Sequence, residues 1–142
     1  MGKRILVTGA LGQIGTELVT ALRNVHGYDA IIPTDVREND DCRVLNVLDL
    51  EGIDYLVREE NVSEIYHLAA LLSATGEKNP ELCWDINVVG LENVVEIAKK
   101  YDCRLFSPSS IAVFGPDCPK IAPQVTPLNP ATIYGKTKVV GE

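Results

Sequence analysis

The chain has 142 residues, 46% of them hydrophobic and 23% charged, with a formal net charge of −7. That is the size and composition of one globular domain with its own core. The acidic balance argues against a nucleic-acid partner, whose affinity comes from Lys and Arg on phosphates. No apolar run approaches the roughly 18 residues that read as a membrane span, so no membrane association is expected and the cytoplasm is the expected compartment.

Strands and helical periods alternate along the chain, the pattern of parallel βαβ architecture. Arg4 to Thr8 reads as a short strand buried on both faces. Ile14, Leu18, Ala21, Leu22 and Val25 recur at helical spacing and predict a helix from about Gln13 to Val25, ended by Gly27. Ala30 to Pro33 is a second strand leading into Thr34-Asp35. Residues 37–42 form a turn, and Arg43 to Val47 a short third strand. Leu50 to Glu60 is a helix with Ile53, Leu56 and Val57 on one face, and Glu64 to Leu68 a fourth strand. A loop from Leu71 to Asn79 precedes a long helix, Pro80 to Tyr101, whose proline suits a first turn. Arg104 to Ser107 is a fifth strand, and Pro108 stops its ladder. Five prolines among the fifteen residues Pro116 to Pro130 mark a lid-like loop. A last helix starts near Thr132 and runs to Glu142.

Between the first strand and the first helix lies Gly9-Ala10-Leu11-Gly12-Gln13-Ile14-Gly15. In that position the glycines read as a phosphate cradle. Gly9 permits the tight turn, Gly12 lets the backbone approach a pyrophosphate, and Gly15 lets the helix lie against the strand. The pyrophosphate then meets the free N–H groups at the helix N-terminus. Asp35 ends the second strand, twenty residues after Gly15, where an acid binds the adenosine ribose hydroxyls and repels the extra phosphate of NADP. NAD is therefore the expected cofactor. Arg37 stands against this, because an arginine there can accept that phosphate; its other role is to line the adenine pocket or face solvent. Asn46-Val47, after the third strand, is placed to meet the adenine edge or simply to end a strand. The fold expected is α/β, a Rossmann-like doubly wound parallel sheet over residues 1–142.

Tyr134 and Lys138 are four residues apart on the last helix and share a face. A lysine ammonium beside a phenol favours the phenolate, which suits a tyrosine to proton exchange. Ser110 lies 24 residues upstream of Tyr134, just beyond a strand end, where open α/β sheets place their ligands. Cys42, Cys83, Cys103 and Cys118 show no metal or disulfide spacing and are expected to be reduced bystanders, and no metal site is expected. His67, at the end of an apolar strand, reads as a satisfied core position.

These segments together resemble the extended short-chain dehydrogenase/reductases, the NAD-dependent epimerases and dehydratases. The resemblance runs through Thr8 to Gly15, His67-Leu68-Ala69-Ala70, Asn87-Val88-Val89-Gly90, Ser109 to Gly115 and Tyr134-Gly135-Lys136-Thr137-Lys138. It implies that Ser110 holds the substrate hydroxyl, Tyr134 exchanges its proton, and Lys138 binds the nicotinamide ribose and tunes the tyrosine. Asn87 would brace the sheet near the site. Leu11, Gln13, Ile14, Val36, Leu68, Ala69 and Ala70 would complete the cofactor contacts. Asn46 departs from the Asp often found there.

Leu71 to Pro80, Pro108 to Gly115 and Pro130 to Gly135 are similar, more narrowly, to the L-threonine 3-dehydrogenase branch. That branch implies L-threonine as substrate, Ser73 in contact with the amino acid, and a homodimer in the full-length enzyme. The chain is expected to be its N-terminal part, without the C-terminal substrate domain, as a fragment, a truncated gene product or a relic. Alone it is expected to bind NAD weakly, to lack turnover and to self-associate. A nucleotide-sugar 4-epimerase or dehydratase, and a non-catalytic NAD-binding remnant, remain as alternatives.

Overall fold

The computed structural model describes residues 2–142, which divide into two compact units. One comprises the chain through Ala69 together with Gly90–Pro108; the other comprises Ala70–Val89 and Ser109–Glu142.

The first unit is a parallel five-stranded sheet: β1 (Ile5–Thr8), β2 (Ile31–Asp35), β3 (Arg43–Val44), β4 (Glu64–His67) and β5 (Arg104–Phe106), in the order β3-β2-β1-β4-β5. β1 lies between β2 and β4, with Thr8 opposite Thr34 on one side and His67 on the other. The chain winds outward from β1 in one direction, then crosses to continue from its other edge. The carboxyl end of β1 is thus the topological switch point, where such sheets bind ligands.

Residue alternation along β1 explains the layering. Leu6 joins Ile32, Ile65, Ile53, Leu56, Val57, Val94 and Ile97 in one core. Ile5 and Val7 point the other way and pack with Val19, Leu22 and Ile31. Helices α2 (Leu50–Glu59) and α5 (Gly90–Lys100) supply the first core, and α1 (Gln13–His26) the second. Asp49 caps α2 by accepting from the Gly52 amide at 3.0 Å. Gly27, at φ 90°, closes α1 as expected.

The face of α1 differs from the expectation. Ile14 is 64% exposed, Val25 74% exposed and Ala21 exposed, whereas Gly15, Val19 and Leu22 are buried. Gly15 offers no hydrophobic signal, and it is the residue pressed hardest on the strand turn; the buried stripe is therefore displaced from the apolar one. β3 is also shorter than Arg43 to Val47, although the Leu45 amide still donates to the Asp35 carbonyl at 2.9 Å. The Asn46–Asp49 turn takes over from there. β2 starts one residue later than expected, after a 3-10 turn at Tyr28–Ala30, and runs to Asp35. Among the described residues β5 is an edge of the sheet, with Phe106 52% exposed.

The second unit has two departures from the expectation. The loop Leu71 to Asn79 contains a helix, α3 (Ser73–Lys78). The long helix is not uniform: α4 (Pro80–Trp84) passes through a π-helical stretch, Asp85–Val89, before α5 begins. Such wide turns insert a residue into the helical register and recur at functional positions. Here the stretch carries Asn87, buried at 6% exposure. A 3-10 turn (Ile111–Val113) and α6 (Ile133–Gly141) complete the unit, and residues 116–130 carry no helix or strand.

Candidate functional site

The first unit holds the glycine turn read from the sequence as a phosphate cradle. Gly9 has φ 67°, and a Cβ there would come within 2.7 Å of the Ala69 amide nitrogen. At Gly15 a Cβ would sit 2.7 Å from Ala10 Cα. Both glycines are demanded by the chain itself. Gly12 is not: its φ is −77°, and a Cβ would meet only the Gly9 carbonyl oxygen at 3.2 Å. Glycine at 12 leaves open space in front of the backbone. It also begins α1, whose N-terminus has no side-chain cap and no acid in its first turn. Uncapped N–H groups beside open space, with no acid in their own turn, fit a dinucleotide pyrophosphate.

Thr8 ties this turn to the end of β4. Its hydroxyl pairs with His67 Nδ1 at 2.9 Å and accepts from the amides of Leu68 and Ala69 at 3.2 and 3.3 Å. His67 is buried, in line with a satisfied core position. Thr8 was not singled out from the sequence; a polar residue ending an apolar strand was the available signal.

Asp35 is only 6% exposed. Oδ1 accepts from the Arg37 amide and Nε at 3.1 and 2.9 Å; Oδ2 accepts from the Leu11 amide and Arg37 Nη2, both at 3.1 Å. Burial alone would push its carboxyl up, but the bonds from Arg37 and Leu11 outweigh burial and hold it below the usual carboxylate range. Val36 is 63% exposed beside it. Asn46 is exposed and caps its own turn, accepting from the Leu48 amide at 3.0 Å. Val47 is buried, and its carbonyl accepts from Asn93 at 3.0 Å.

The second unit carries Ala70, Ser73, Ser110, Tyr134 and Lys138. α6 starts under two caps: Thr132 accepts from the Gly135 amide at 2.9 Å, and Glu77 from the Ile133 amide at 2.7 Å. The Thr137 hydroxyl donates to the Tyr134 carbonyl at 2.7 Å and accepts from Asn87 Nδ2 at 3.1 Å. Asn87 also clasps the backbone of Leu71, accepting from its amide at 2.7 Å and donating to its carbonyl at 3.0 Å. Tyr134 and Lys138 are half-buried on the resulting helix, with Lys138 Nζ 5.7 Å from the Tyr134 ring centroid. Burial holds the Lys138 ammonium below the ordinary lysine range, with Cys83 acting in the opposite sense.

Ser110 is extended and caps the 3-10 turn, its hydroxyl accepting from the Ala112 amide at 3.2 Å. Gly135 brings α6 close to that turn: a Cβ there would collide with the Ala112 carbonyl and sit 2.7 Å from Pro130 Cβ. Ser73 opens α3, the helix whose Glu77 caps α6. Thr137, Glu77 and Gly135 were not assigned structural roles from the sequence, because their partners lie up to 56 residues away. All four cysteines are free. Among the described residues there is no cluster able to hold a metal, and no helix long and apolar enough to cross a membrane.

A parallel sheet in this order, with a glycine turn at its switch point, defines a Rossmann-type nucleotide-binding fold. The chain belongs to the NAD-dependent epimerase/dehydratase family, whose model matches residues 5–142. An uncharacterised epimerase/dehydratase of Staphylococcus aureus is 48% identical over 99% of this chain and 46% of its own length. Among solved structures, a monomeric L-threonine 3-dehydrogenase of metagenomic origin is 57% identical with a TM-score of 0.94, over 97% of this chain and 46% of that one. The Clostridium difficile L-threonine dehydrogenase is 44% identical with the same score, over 99% of this chain and 47% of that one. An Agrobacterium tumefaciens nucleoside-diphosphate-sugar epimerase is 26% identical with a TM-score of 0.87, over 99% of this chain and 46% of that one. The chain thus spans about half the length of the relatives it matches. NAD, the cofactor expected from Asp35, is the family's cofactor.

Proposed function

We propose that residues 1–142 form the NAD-binding domain of an L-threonine 3-dehydrogenase, converting L-threonine and NAD⁺ to 2-amino-3-oxobutanoate and NADH. The observation that carries this reading is the identity gap: 57% and 44% to threonine dehydrogenases against 26% to a sugar-nucleotide epimerase. Gly9 to Gly15 hold the pyrophosphate on the N-terminus of α1, and Asp35 holds the adenosine ribose. Val36, Asn46 and Val47 border the adenine; Leu68, Ala69 and Ala70 line the cofactor. When bound, NAD⁺ supplies the acceptor for the hydride leaving the threonine β-carbon. Ser110 orients the β-hydroxyl, and Tyr134 takes its proton. Lys138 keeps positive charge beside the phenol, and Ser73 contacts the amino acid. The protein would act in the cytoplasm. A homodimer is the less favoured reading, because the 57%-identical relative is described as monomeric.

The curated relatives' description as epimerase/dehydratases favours a second reading, a nucleotide-sugar 4-epimerase or dehydratase using the same three residues. A substrate panel separates the two. The chain joined to the C-terminal half of a threonine dehydrogenase should form NADH with L-threonine and leave UDP-sugars untouched. Conversion of a UDP-sugar alone would reverse the assignment.

A further inference from the structure

A carboxylate offers about four lone-pair positions, and on Asp35 all four are taken. Oδ1 receives the Arg37 amide and Nε, and Oδ2 receives the Leu11 amide and Arg37 Nη2. The two backbone donors are fixed, one by the cradle turn and one by the strand end. The two guanidinium bonds belong to a side chain that is 61% exposed and can swing away. At 6% exposure the carboxylate has no uncovered edge on which a further donor can land.

We propose that Arg37 is a displaceable cover on Asp35 and a determinant of dinucleotide choice: the ribose 2′- and 3′-hydroxyls replace its two guanidinium bonds one for one. The inference rests on the cofactor reading above and adds to it. An NAD ribose has two hydroxyl donors and vacates neither acceptor. An NADP ribose has one hydroxyl and a 2′-phosphate. It leaves one acceptor unfilled and sets a phosphate against the carboxylate, and the displaced guanidinium is the group that offsets this charge. Arg37 therefore acts in opposite directions on the two cofactors, competing with NAD and assisting NADP.

The competition is with a partly exposed ion pair. Its removal should therefore change affinity modestly, by about two- to fivefold, and the change should fade as salt screens the pair. The test is fluorescence titration of NADH and NADPH into the 142-residue chain and its Arg37→Met variant, at low and high salt. Methionine keeps the aliphatic stem and removes the donors. NADH should bind about two- to fivefold tighter to the variant at low salt, NADPH should bind more weakly, and the NADH difference should shrink at high salt. Nuclear magnetic resonance gives a second readout: the parent's Arg37 Nε–H signal should shift on adding NADH. Weaker NADH binding to the variant, equal loss for both dinucleotides, or an Nε–H signal unmoved by saturating NADH would overturn the proposal. Failure of the parent to bind either dinucleotide would instead overturn the cofactor reading, and the exchange with it.

Discussion

In the first unit Gly9, Gly12 and Gly15 are placed by β1 and α1, whose Ile5, Val7, Val19 and Leu22 are buried in the sheet core. In the second, Tyr134 and Lys138 ride on a nine-residue helix held at its start by Thr132 and Glu77 and from within by Thr137 and Asn87. A helix that short is marginal by itself in water. The second unit also leaves apolar side chains in solvent: Ile111 and Val125 are each 87% exposed, Ile121 90%, Val140 54% and Trp84 40%. Binding geometry built on a buried sheet inherits its rigidity from nonpolar packing. Geometry built on a few hydrogen bonds depends on each of them, and each is worth only about 1 kcal/mol net but more when one partner is buried and left unsatisfied.

The largest effect should come from breaking the first unit's close packing. Gly15→Val drives side-chain atoms into the Ala10 backbone, which cannot yield, and should cost about 3 kcal/mol or more with loss of NADH binding. Gly12→Val has far more room and should cost well under half as much in thermal unfolding. Its NADH affinity should nonetheless fall at least about tenfold, because the added side chain occupies the phosphate's approach. Equal destabilisation by the two substitutions would mean that Gly12 serves the fold and not a ligand.

Next in size is Asn87→Ala. It strands the amide and carbonyl of Leu71 and removes the donor to the Thr137 hydroxyl, and should lower stability by about 2 kcal/mol. Hydrogen exchange should locate the loss in α3, α4 and α6 and leave β1 and β2 protected. NADH affinity should stay within about twofold of the parent's. Loss of protection spread evenly over both units would remove the distinction drawn between them.

A smaller effect, of opposite sign, is expected at Lys138. Its folded pKa lies below its unfolded value of about 10.4. The folded chain therefore holds the ammonium at a disadvantage at neutral pH. Stability recovers as pH climbs from the folded pKa toward the unfolded one. Lys138→Met should thus raise Tm slightly at pH 7, and the gain should shrink toward pH 10. The smallest effect belongs to Asp35. Its folded pKa is depressed, so its contribution is complete above the unfolded value of about 3.9 and disappears as pH falls through the folded one. Asp35→Asn should flatten that part of the acid limb, and an unchanged limb would argue against the Arg37 pair.

The same contrast governs what was legible in the sequence. Strand and helix order, the glycine turn, Asp35 and the tyrosine–lysine helix can be read from local patterns, because each signal spans a few consecutive residues. The buried face of α1 could not be read, since its tightest contact is made by Gly15, which has no side chain. α3 was hidden because its six residues, Ser73–Lys78, include a glycine and carry no hydrophobic period. The π-helical stretch was hidden because its Asn87 is held by Leu71 and Thr137, and such hydrogen bonds between distant residues leave no periodic trace. For the same reason Glu77 carried no local mark.

The most direct test of the assignment is a paired measurement on the chain joined to the C-terminal half of a threonine dehydrogenase. L-threonine-dependent NADH formation and NADH binding would be compared between the parent and Tyr134→Phe. On the proposed reading Tyr134 would act on the substrate proton from the second unit, whereas Gly12 and Asp35 would hold the dinucleotide from the first. Turnover should therefore fall by about 10²–10⁴-fold, with NADH affinity unchanged to within about twofold. Turnover surviving in Tyr134→Phe, or affinity lost in step with it, would contradict this division of labour.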